Sequence, residues 1–218
     1  MVQTRRITPF GRFLCDGAME KEKVMKTGTF VQPFARTWQQ QDGEYRLLGL
    51  GVRKVSFLRV QVYVVGLYVH AEDIAPLCAP HDSLAERMAQ EHTRAILRIV
   101  PVRNTDFGHL RDGFVRGIRK AHAATDEGAE EEGMEEGIDR FKGLFFRGAV
   151  PKDTPLLLRF NREGLSVDCD DKELGSVKDP RIARAILTSY VNGGEVVSPS
   201  ARDSILAGLR AMCRCRLD

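Results

Sequence analysis

The amino-acid sequence predicts an α+β domain in which a layer of helices covers a large, mainly antiparallel sheet. Two observations carry this prediction. Apolar and β-branched residues dominate Tyr45–His70, and alternation is visible in both of its halves, which predicts two long central strands. Along the whole chain, strand-like and helix-like periodicities follow in the order β-β-α-β-α-α-β-β-β-α-α, which is typical of a mixed domain of this class.

The first central strand carries two glycines beside an arginine. Gly49, Gly51 and Arg53 share one face of this strand. Glycine inside a strand weakens it and often marks a place where a ligand or another backbone comes close. The sequence therefore predicts a surface without side chains next to a cation. The opposite face is expected to consist of Leu48, Leu50 and Val52.

The remaining elements follow from apolar periodicity, caps and turns. A short edge strand at Val31–Trp38 and a turn at Gln39–Gly43 are expected before the central strands. The other expected strands are Ala95–Val102, Leu156–Asn161, Leu165–Cys169 and Glu173–Val177. Helices are expected to begin at Asp82-Ser83, after residues 104–106, in the acidic run before Met134, at Pro180 and at Ser198-Pro199.

Composition describes a globular protein of ordinary size. The 218 residues suffice for one domain, and 43% of them are hydrophobic. A net charge of +3 without a block of Lys or Arg argues against nucleic acid as a partner. No apolar run reaches the length of a transmembrane helix, which is about 18 residues. We expect residues 1–26 to be a poorly ordered N-terminal segment and residues 27–218 to form a single domain.

The five cysteines form no recognisable pattern. They are Cys15, Cys78, Cys169, Cys213 and Cys215, an odd number without repeated spacing. Neither a disulfide framework nor a zinc site is predicted, and free thiols in a reducing compartment are expected. The mitochondrial intermembrane space would also permit a bridge.

Three separated blocks of sequence resemble the chalcone isomerase family. LLGLGVRKVSFL followed by VQVYVVGLYV is similar to the family's central strand pair, with its G-x-G-V-R and G-[VL]-Y motifs. LRIVPVRNTDFGHLRDGF resembles its strand, proline and helix segment, and AILTSYVNGGEVVSPSARDSI resembles its C-terminal helix pair. The resemblance covers residues 27–209 and is closest to the fungal mitochondrial branch called altered inheritance of mitochondria proteins. It implies an open-faced β-sandwich.

The resemblance also implies which residues surround the site. In the plant isomerases, the strand arginine that matches Arg53 polarises the substrate. The family's threonine on the next strand matches Tyr63, and its C-terminal threonine-methionine pair matches Ser189 and Tyr190. Two polar groups of the family's helix match Phe107 and Phe114, whose phenyl rings cannot form the required hydrogen bonds. From the sequence alone, those two rings could equally be core residues of an amphipathic helix.

The resemblance therefore implies a chalcone isomerase-like protein without isomerase activity. We expect it to bind a small amphipathic molecule in an apolar cleft, with Arg53 as the anion clamp. The expected ligand-binding residues are Arg53, Tyr63, Phe107, Phe114, Ser189, Tyr190, Gly49 and Gly51. One alternative is an active isomerase, an intramolecular lyase that uses Arg53 with Tyr63 and Ser189 as catalytic residues. Another is a structural protein in which Arg53 is paired with an acid.

A fatty acid, haem and a flavonoid-like molecule all fit the expected cleft. No metal or required cofactor is predicted. Haem would need an axial ligand, and the five histidines, His70, His81, His92, His109 and His122, show no metal-site spacing. No catalytic-triad order or phosphate loop is present. The resemblance implies a mitochondrial location, and without it we would expect a cytoplasmic one.

Overall fold

The structure is a computed structural model that describes residues 34–80, 82–124, 131–192 and 196–215. The predicted N-terminal segment, residues 1–26, lies outside the described residues. None of the helices in the described ranges is long and apolar enough to cross a membrane.

Seven strands form one antiparallel sheet, as the sequence predicts. Its spatial order is β1-β2-β3-β4-β7-β8-β9, and every neighbouring pair is antiparallel. A separate two-stranded sheet pairs β5 with β6 and was not expected from the sequence. The strands are β1 Thr37–Gln40, β2 Gly43–Val55, β3 Val60–His70, β4 Ala95–Pro101, β5 Thr105–Asp106, β6 Ala149–Val150, β7 Leu156–Asn161, β8 Gly164–Cys169 and β9 Lys172–Val177.

The edge strand β1 begins later than predicted. Instead of Val31–Trp38, of which residues 31–33 lie outside the described residues, the strand comprises Thr37–Gln40. Its pairing with β2 continues up to a tight turn, where Gln40 faces Gly43. The turn is therefore shorter than the predicted Gln39–Gly43, because Gln39 and Gln40 belong to β1 and pair with β2.

The long helices begin at side chains that cap them, as the sequence indicates. Ser83, Asp106, Asp179 and Ser198 each accept a hydrogen bond from a backbone N–H of the first turn of α2, α3, α5 and α6. Proline occupies the first turn of both α5 and α6, where its missing N–H costs nothing. The helices are α1 Ile74–Leu77, α2 Leu84–Gln90, α3 Phe107–Ala123, α4 Glu131–Gly143, α5 Pro180–Val191 and α6 Pro199–Arg214.

The helices cover one face of the large sheet and enclose the main core with it. This core joins apolar residues of all six helices to inward-facing residues of the strands. A smaller cluster on the opposite face includes Phe34, Val52, Tyr68, Ile96 and Val100. The structure thus confirms the predicted arrangement of a helix layer over an antiparallel sheet.

A β-bulge at Leu48 corrects one predicted face. Leu47 pairs with Tyr68 and Gly49 pairs with Leu67, so Leu48 is an extra residue on β2. Because a bulge shifts the alternation by one residue, Leu48 points into the main core, while Leu50 and Val52 belong to the cluster on the other face. The prediction that these three residues share a face is therefore wrong for Leu48.

The cysteine expectation is also corrected. Cys78, which follows α1, forms a disulfide with Cys213 in the last turn of α6, and 135 positions separate the two residues in the sequence. Cys169 is a buried free thiol and Cys215 is an exposed one, while Cys15 lies outside the described residues. The bridge was not predicted because the fold, and not the sequence spacing, brings the two cysteines together.

Candidate functional site

Helix α6 lies directly on the glycine pair of β2. A Cβ atom at Gly49 would overlap the backbone N of Ile205, and one at Gly51 would overlap the backbone N of Ala201. Of the two uses that the glycines predict, a ligand or another backbone, the structure shows the second. The space beside Gly49 and Gly51 is filled by α6, so these two expected ligand-binding residues lie outside the open cleft.

Serine hydroxyls of α6 satisfy the free edge of β2. Strand β1 pairs with residues 43–46, and no other described strand pairs with the following part of β2 on that side. Ser204 Oγ accepts from Leu50 N and Ser200 Oγ accepts from Val52 N, both at 3.1 Å. Unpaired backbone groups are costly when buried, and these hydroxyls replace the missing strand. They also fix the part of β2 that precedes Arg53.

Arg53 is the first link of a buried hydrogen-bond chain. Its Nη1 donates to Tyr63 Oη at 2.9 Å, and Tyr63 Oη lies 2.6 Å from Tyr190 Oη. Tyr63 faces Arg53 across the β2–β3 ladder, whereas Tyr190 comes from α5. Burial raises the pKa of Tyr190 well above its ordinary value, so this phenol stays neutral. These hydrogen bonds hold the guanidinium of Arg53 in one orientation at the boundary between core and solvent.

Most donors of Arg53 have no acceptor among the residues that the structure describes. A guanidinium carries five N–H donors, and within the described residues Tyr63 Oη is its one acceptor. A purely structural arginine is expected to form an ion pair with an acid. No carboxylate of the described ranges forms such a pair with Arg53. A half-buried cation with unused donors is suited to binding an anion.

Two glycines on α3 make room beside the arginine. A Cβ at Gly113 would lie 3.0 Å from Arg53 Nη1, and one at Gly117 would lie 3.2 Å from Ser189 Oγ. The spacing of four residues places both glycines on the same face of the helix. This face lets α3 approach the end of β2 and α5 without filling the space between them.

An open cleft of about 550 Å³ lies at this junction. It is bounded by the end of β2, the glycine face of α3, the last turn of α5 and the residues that lead into α6. Its volume is within the range of small-molecule sites. Apolar side chains form much of its wall, including Val55, Ala121, Ala124, Val196 and Val197.

Among the described residues that line the cleft, all the charged side chains are cations. They are Arg53, Lys54, Arg116 and Lys120, and none of the described lining residues is an Asp or Glu. Arg53 lies beside the glycine face of α3, while Lys54 is exposed near the end of β2. The cleft therefore has a positive potential that would attract an anionic group.

Apart from Gly49 and Gly51, the six expected site residues divide into three groups. Arg53 and Ser189 line the cleft. Tyr63 and Tyr190 are 1% and 0% exposed and act from beneath it, through the chain that orients Arg53. Phe107 and Phe114, at 4% exposed each, belong to the core, where they pack against Phe145, Phe146 and Phe141 in an aromatic cluster between α3 and the end of α4.

The expectation that these two phenylalanines form the cleft wall is therefore not met. Their helical spacing places them on the face of α3 that packs against the main core. The cleft lies on a neighbouring face, formed by Gly113, Arg116, Gly117, Lys120 and Ala124. Sequence reasoning missed this face, although its spacing of three and four residues was a signal for it.

The described part of the cleft offers no usual axial ligand for haem. None of the described residues that line it is His, Cys or Met. Buried His70 contacts the carbonyl oxygen of Asp42 through Nε2, and His109 is paired with Asp106 at the start of α3. His81 lies outside the described residues. No group of three or more His, Cys, Asp or Glu in the described ranges could hold a metal ion. The cations could pair with propionates, but the lining does not fit the iron.

Comparison with known proteins gives a family match over most of the chain. The sequence model of a family described as chalcone isomerase like matches residues 43–82 and 78–206. Relatives named altered inheritance of mitochondria protein 18, mitochondrial, include those of Debaryomyces hansenii, 33% identical over 74% of this chain and 65% of the relative, and Eremothecium gossypii, 31% identical over 77% and 67%. The protein of the same name from Kluyveromyces lactis is 28% identical over 76% of this chain and 64% of the relative.

This chain thus spans about two thirds of the length of these relatives. The names of the relatives agree with the predicted mitochondrial location. Among solved structures, the crystal structure of an Arabidopsis thaliana fatty-acid binding protein superposes with a TM-score of 0.67 and 21% identity, over 85% of this chain and 99% of that one. That similarity confirms the predicted fold.

Proposed function

Because this chain belongs to the chalcone isomerase-like family, we propose that it binds a fatty acid in the cleft at the end of β2. The carboxylate pairs with Arg53, and the alkyl chain lies along the apolar wall. One observation carries the proposal: among the described residues, the cleft is lined by cations without acids, and Tyr63 Oη is the one acceptor of the arginine at its base.

The geometry of Arg53 favours a carboxylate over a neutral group. A guanidinium and a carboxylate form two parallel charge-assisted hydrogen bonds. Tyr63 uses one donor of Nη1, which leaves donors of the fork for a ligand. Burying a cation without a counter-charge is costly, so a bound anion would relieve a penalty that the unliganded protein carries.

The wall of the cleft suits an alkyl chain. Val55, Ala121, Val196 and Val197 present short apolar side chains. Burial of each methylene contributes about 0.8 kcal/mol, so affinity should rise with chain length until the cleft is filled. The name of the Arabidopsis structural neighbour, a fatty-acid binding protein, agrees with this ligand class.

Chalcone isomerisation is a weaker candidate. The hydroxyl of Tyr63 is held between Arg53 and Tyr190, and Ser189 Oγ donates to the carbonyl oxygen of Ile186 at 2.7 Å. Ser189 thus uses its one donor within α5, and Tyr63 lies beneath the cleft at 1% exposure, so neither hydroxyl is placed to donate to a substrate as the active-isomerase alternative requires. We expect no efficient chalcone cyclisation, and loss of chalcone absorption on incubation with the protein would contradict this expectation.

Haem is also a weaker candidate, because the described cleft residues supply no His, Cys or Met for the iron. A Soret band in the freshly purified protein that Arg53→Gln removes would favour haem over a fatty acid. A flavonoid-like molecule would need hydrogen-bond partners for its ring hydroxyls and carbonyl, and the same cleft offers it mainly cations.

The proposal is tested by identifying and titrating the ligand. Freshly purified protein is extracted and its bound lipid is identified by mass spectrometry. The delipidated protein is then titrated with the fluorescent fatty acid cis-parinaric acid. Arg53→Gln should weaken binding about tenfold to a hundredfold, because a charged hydrogen-bonded pair contributes about 1.5–3 kcal/mol.

A matched variant controls for the loss of positive charge. Arg162 is exposed in the turn between β7 and β8, and Arg162→Gln should bind the probe like the wild type. Equal affinity in Arg53→Gln and the wild type would contradict the clamp role of Arg53. Failure of the delipidated wild type to bind any fatty acid would contradict the proposed function.

A further inference from the structure

The tip of the β2–β3 hairpin presents two large apolar side chains to solvent. Phe57 and Leu58 are 91% and 69% exposed, and all residues from Lys54 to Arg59 are exposed. Most large apolar side chains of the described chain are buried in its two clusters. Two neighbouring large apolar side chains that are exposed at a hairpin tip therefore indicate a binding surface, since exposed apolar patches commonly mark such surfaces.

The backbone of this tip has a defined geometry. The last pair of the ladder is Val55 with Val60, and Arg59 N donates to the carbonyl oxygen of Ser56 at 3.1 Å. Ser56 and Arg59 have φ angles of 62° and 52°, in the left-handed region that is uncommon for residues other than glycine. The turn therefore holds Phe57 and Leu58 away from the body of the protein.

Cations surround the apolar tip. Lys54 and Arg59 flank it in the sequence, and residues 54–59 contain no acid. Lys54 also lines the cleft, together with Arg116 and Lys120 of α3. Val55, which is 37% exposed, belongs both to the base of the tip and to the cleft wall. The apolar tip and the cationic cleft are thus one continuous surface.

We propose that this surface docks on an anionic lipid bilayer. Phe57 and Leu58 enter the boundary between headgroups and acyl chains, and the surrounding lysines and arginines contact anionic headgroups. The inference rests on the proposed function and extends it: the cleft opens next to the membrane, so a fatty acid enters without crossing water.

A bilayer fits this surface better than a folded protein partner. A stable protein interface buries about 800 Å² on each side, far more than the two side chains of a narrow hairpin tip provide. A bilayer needs no matching shape and supplies both the apolar layer and the negative charge. A second copy of the chain is the competing occupant of the tip, and flotation together with sedimentation distinguishes it from a bilayer.

The test is flotation of the delipidated protein with vesicles, without added fatty acid. The wild type should float with vesicles of phosphatidylcholine and phosphatidylglycerol and much less with phosphatidylcholine alone. Phe57→Ser/Leu58→Ser should reduce binding about tenfold or more, since two apolar side chains are lost. Arg59→Gln should reduce it about fivefold, and added salt should weaken binding by the wild type.

Two further measurements separate docking from folding and from ligand binding. Phe57→Trp should show a blue shift of its emission with anionic vesicles, relative to the wild type, whose one tryptophan is Trp38 in the described β1 strand. The double serine variant should still bind cis-parinaric acid in solution like the wild type, because neither residue lines the cleft. A failure of the proposed function would appear in that titration and not in the flotation.

Three results would overturn the proposal. The first is a wild type that does not float with anionic vesicles. The second is equal flotation of the wild type and Phe57→Ser/Leu58→Ser. The third is a wild type that forms a dimer in sedimentation without vesicles while the double variant is monomeric, which would assign the tip to a second copy of the chain.

Discussion

Two pairs of glycines serve opposite purposes in this protein. Gly49 and Gly51 on β2 are covered by α6, whose backbone occupies the position of their missing side chains. Gly113 and Gly117 on α3 border an open cleft, where the nearest atoms are the guanidinium of Arg53 and the side chain of Ser189. The first pair closes a contact between backbones, and the second leaves space beside a cation.

This difference shows what a glycine pattern can and cannot predict. A strand glycine indicates a close approach, but the sequence does not say whether a helix or a ligand makes it. On β2 a helix makes the close approach, because Leu50 N and Val52 N donate hydrogen bonds to the hydroxyls of Ser204 and Ser200 on α6. On α3 the nearest atoms to the glycines are side-chain atoms of Arg53 and Ser189 and not a backbone, and the space beside them remains open. Substitutions at the first pair should therefore cost much more stability than substitutions at the second.

The largest effect is expected at the closed pair. In Gly51→Val, the new side chain would overlap the backbone of α6 at Ala201, which cannot move aside by a change of rotamer. We expect a loss of about 4 kcal/mol or more in the free energy of unfolding, which would be measured by urea denaturation. A variant as stable as the wild type would show that α6 does not rest on this strand.

The second effect tests how α6 is anchored on the closed side. The Cys78–Cys213 disulfide joins the last turn of α6 to the segment after α1. Cys78→Ala/Cys213→Ala should lower the free energy of unfolding by about 2–5 kcal/mol, since the bridge restricts the unfolded chain. Thermal unfolding with and without a reducing agent measures this, and Cys215→Ala is the control. Identical melting of oxidised and reduced wild type would contradict a structural role for the bridge.

A smaller effect is expected beneath the open side. Tyr190→Phe removes the hydrogen bond to Tyr63, which should cost about 1 kcal/mol. Burial raises the pKa of Tyr190 in the folded state above its unfolded value of about 10. The unfolded chain therefore releases this proton first, and the stability contributed is complete below about pH 10 and falls at higher pH. The variant should lose less stability than the wild type between neutral and alkaline pH, as measured by urea denaturation. A steeper alkaline loss in the variant would contradict this assignment.

The smallest effect is expected at the open pair. In Gly117→Ala, the added methyl would meet Ser189 at 3.2 Å, a contact that a small side-chain movement relieves. Alanine also favours the helix by up to about 1 kcal/mol over glycine. The free energy of unfolding should therefore change by less than about 1 kcal/mol in urea denaturation. A loss as large as that of Gly51→Val would show that α3 is as tightly packed as β2.

The sequence predicted the sheet, the helix layer and the position of Arg53, because these depend on local periodicity and caps. Three features escaped it for physical reasons. No residue pattern in the sequence indicates the β-bulge at Leu48, although the bulge moves the Leu48 side chain to the other face of the sheet. The disulfide depends on tertiary contact. Phe107 and Phe114 lie on helix α3, which has one face against the main core and another against the cleft. Periodicity alone could not show which of these faces borders the cleft.

The most direct test of the central claim is a set of four dissociation constants. Calorimetry would measure hexadecanoic acid and hexadecanol with the wild type and with Arg53→Gln, so that one arm varies the charge of the ligand and the other the charge of the protein. If Arg53 pairs with the carboxylate, the wild type prefers the acid by about tenfold or more and the variant loses this preference. An equal preference for the acid in both proteins would contradict the pairing of Arg53 with the carboxylate.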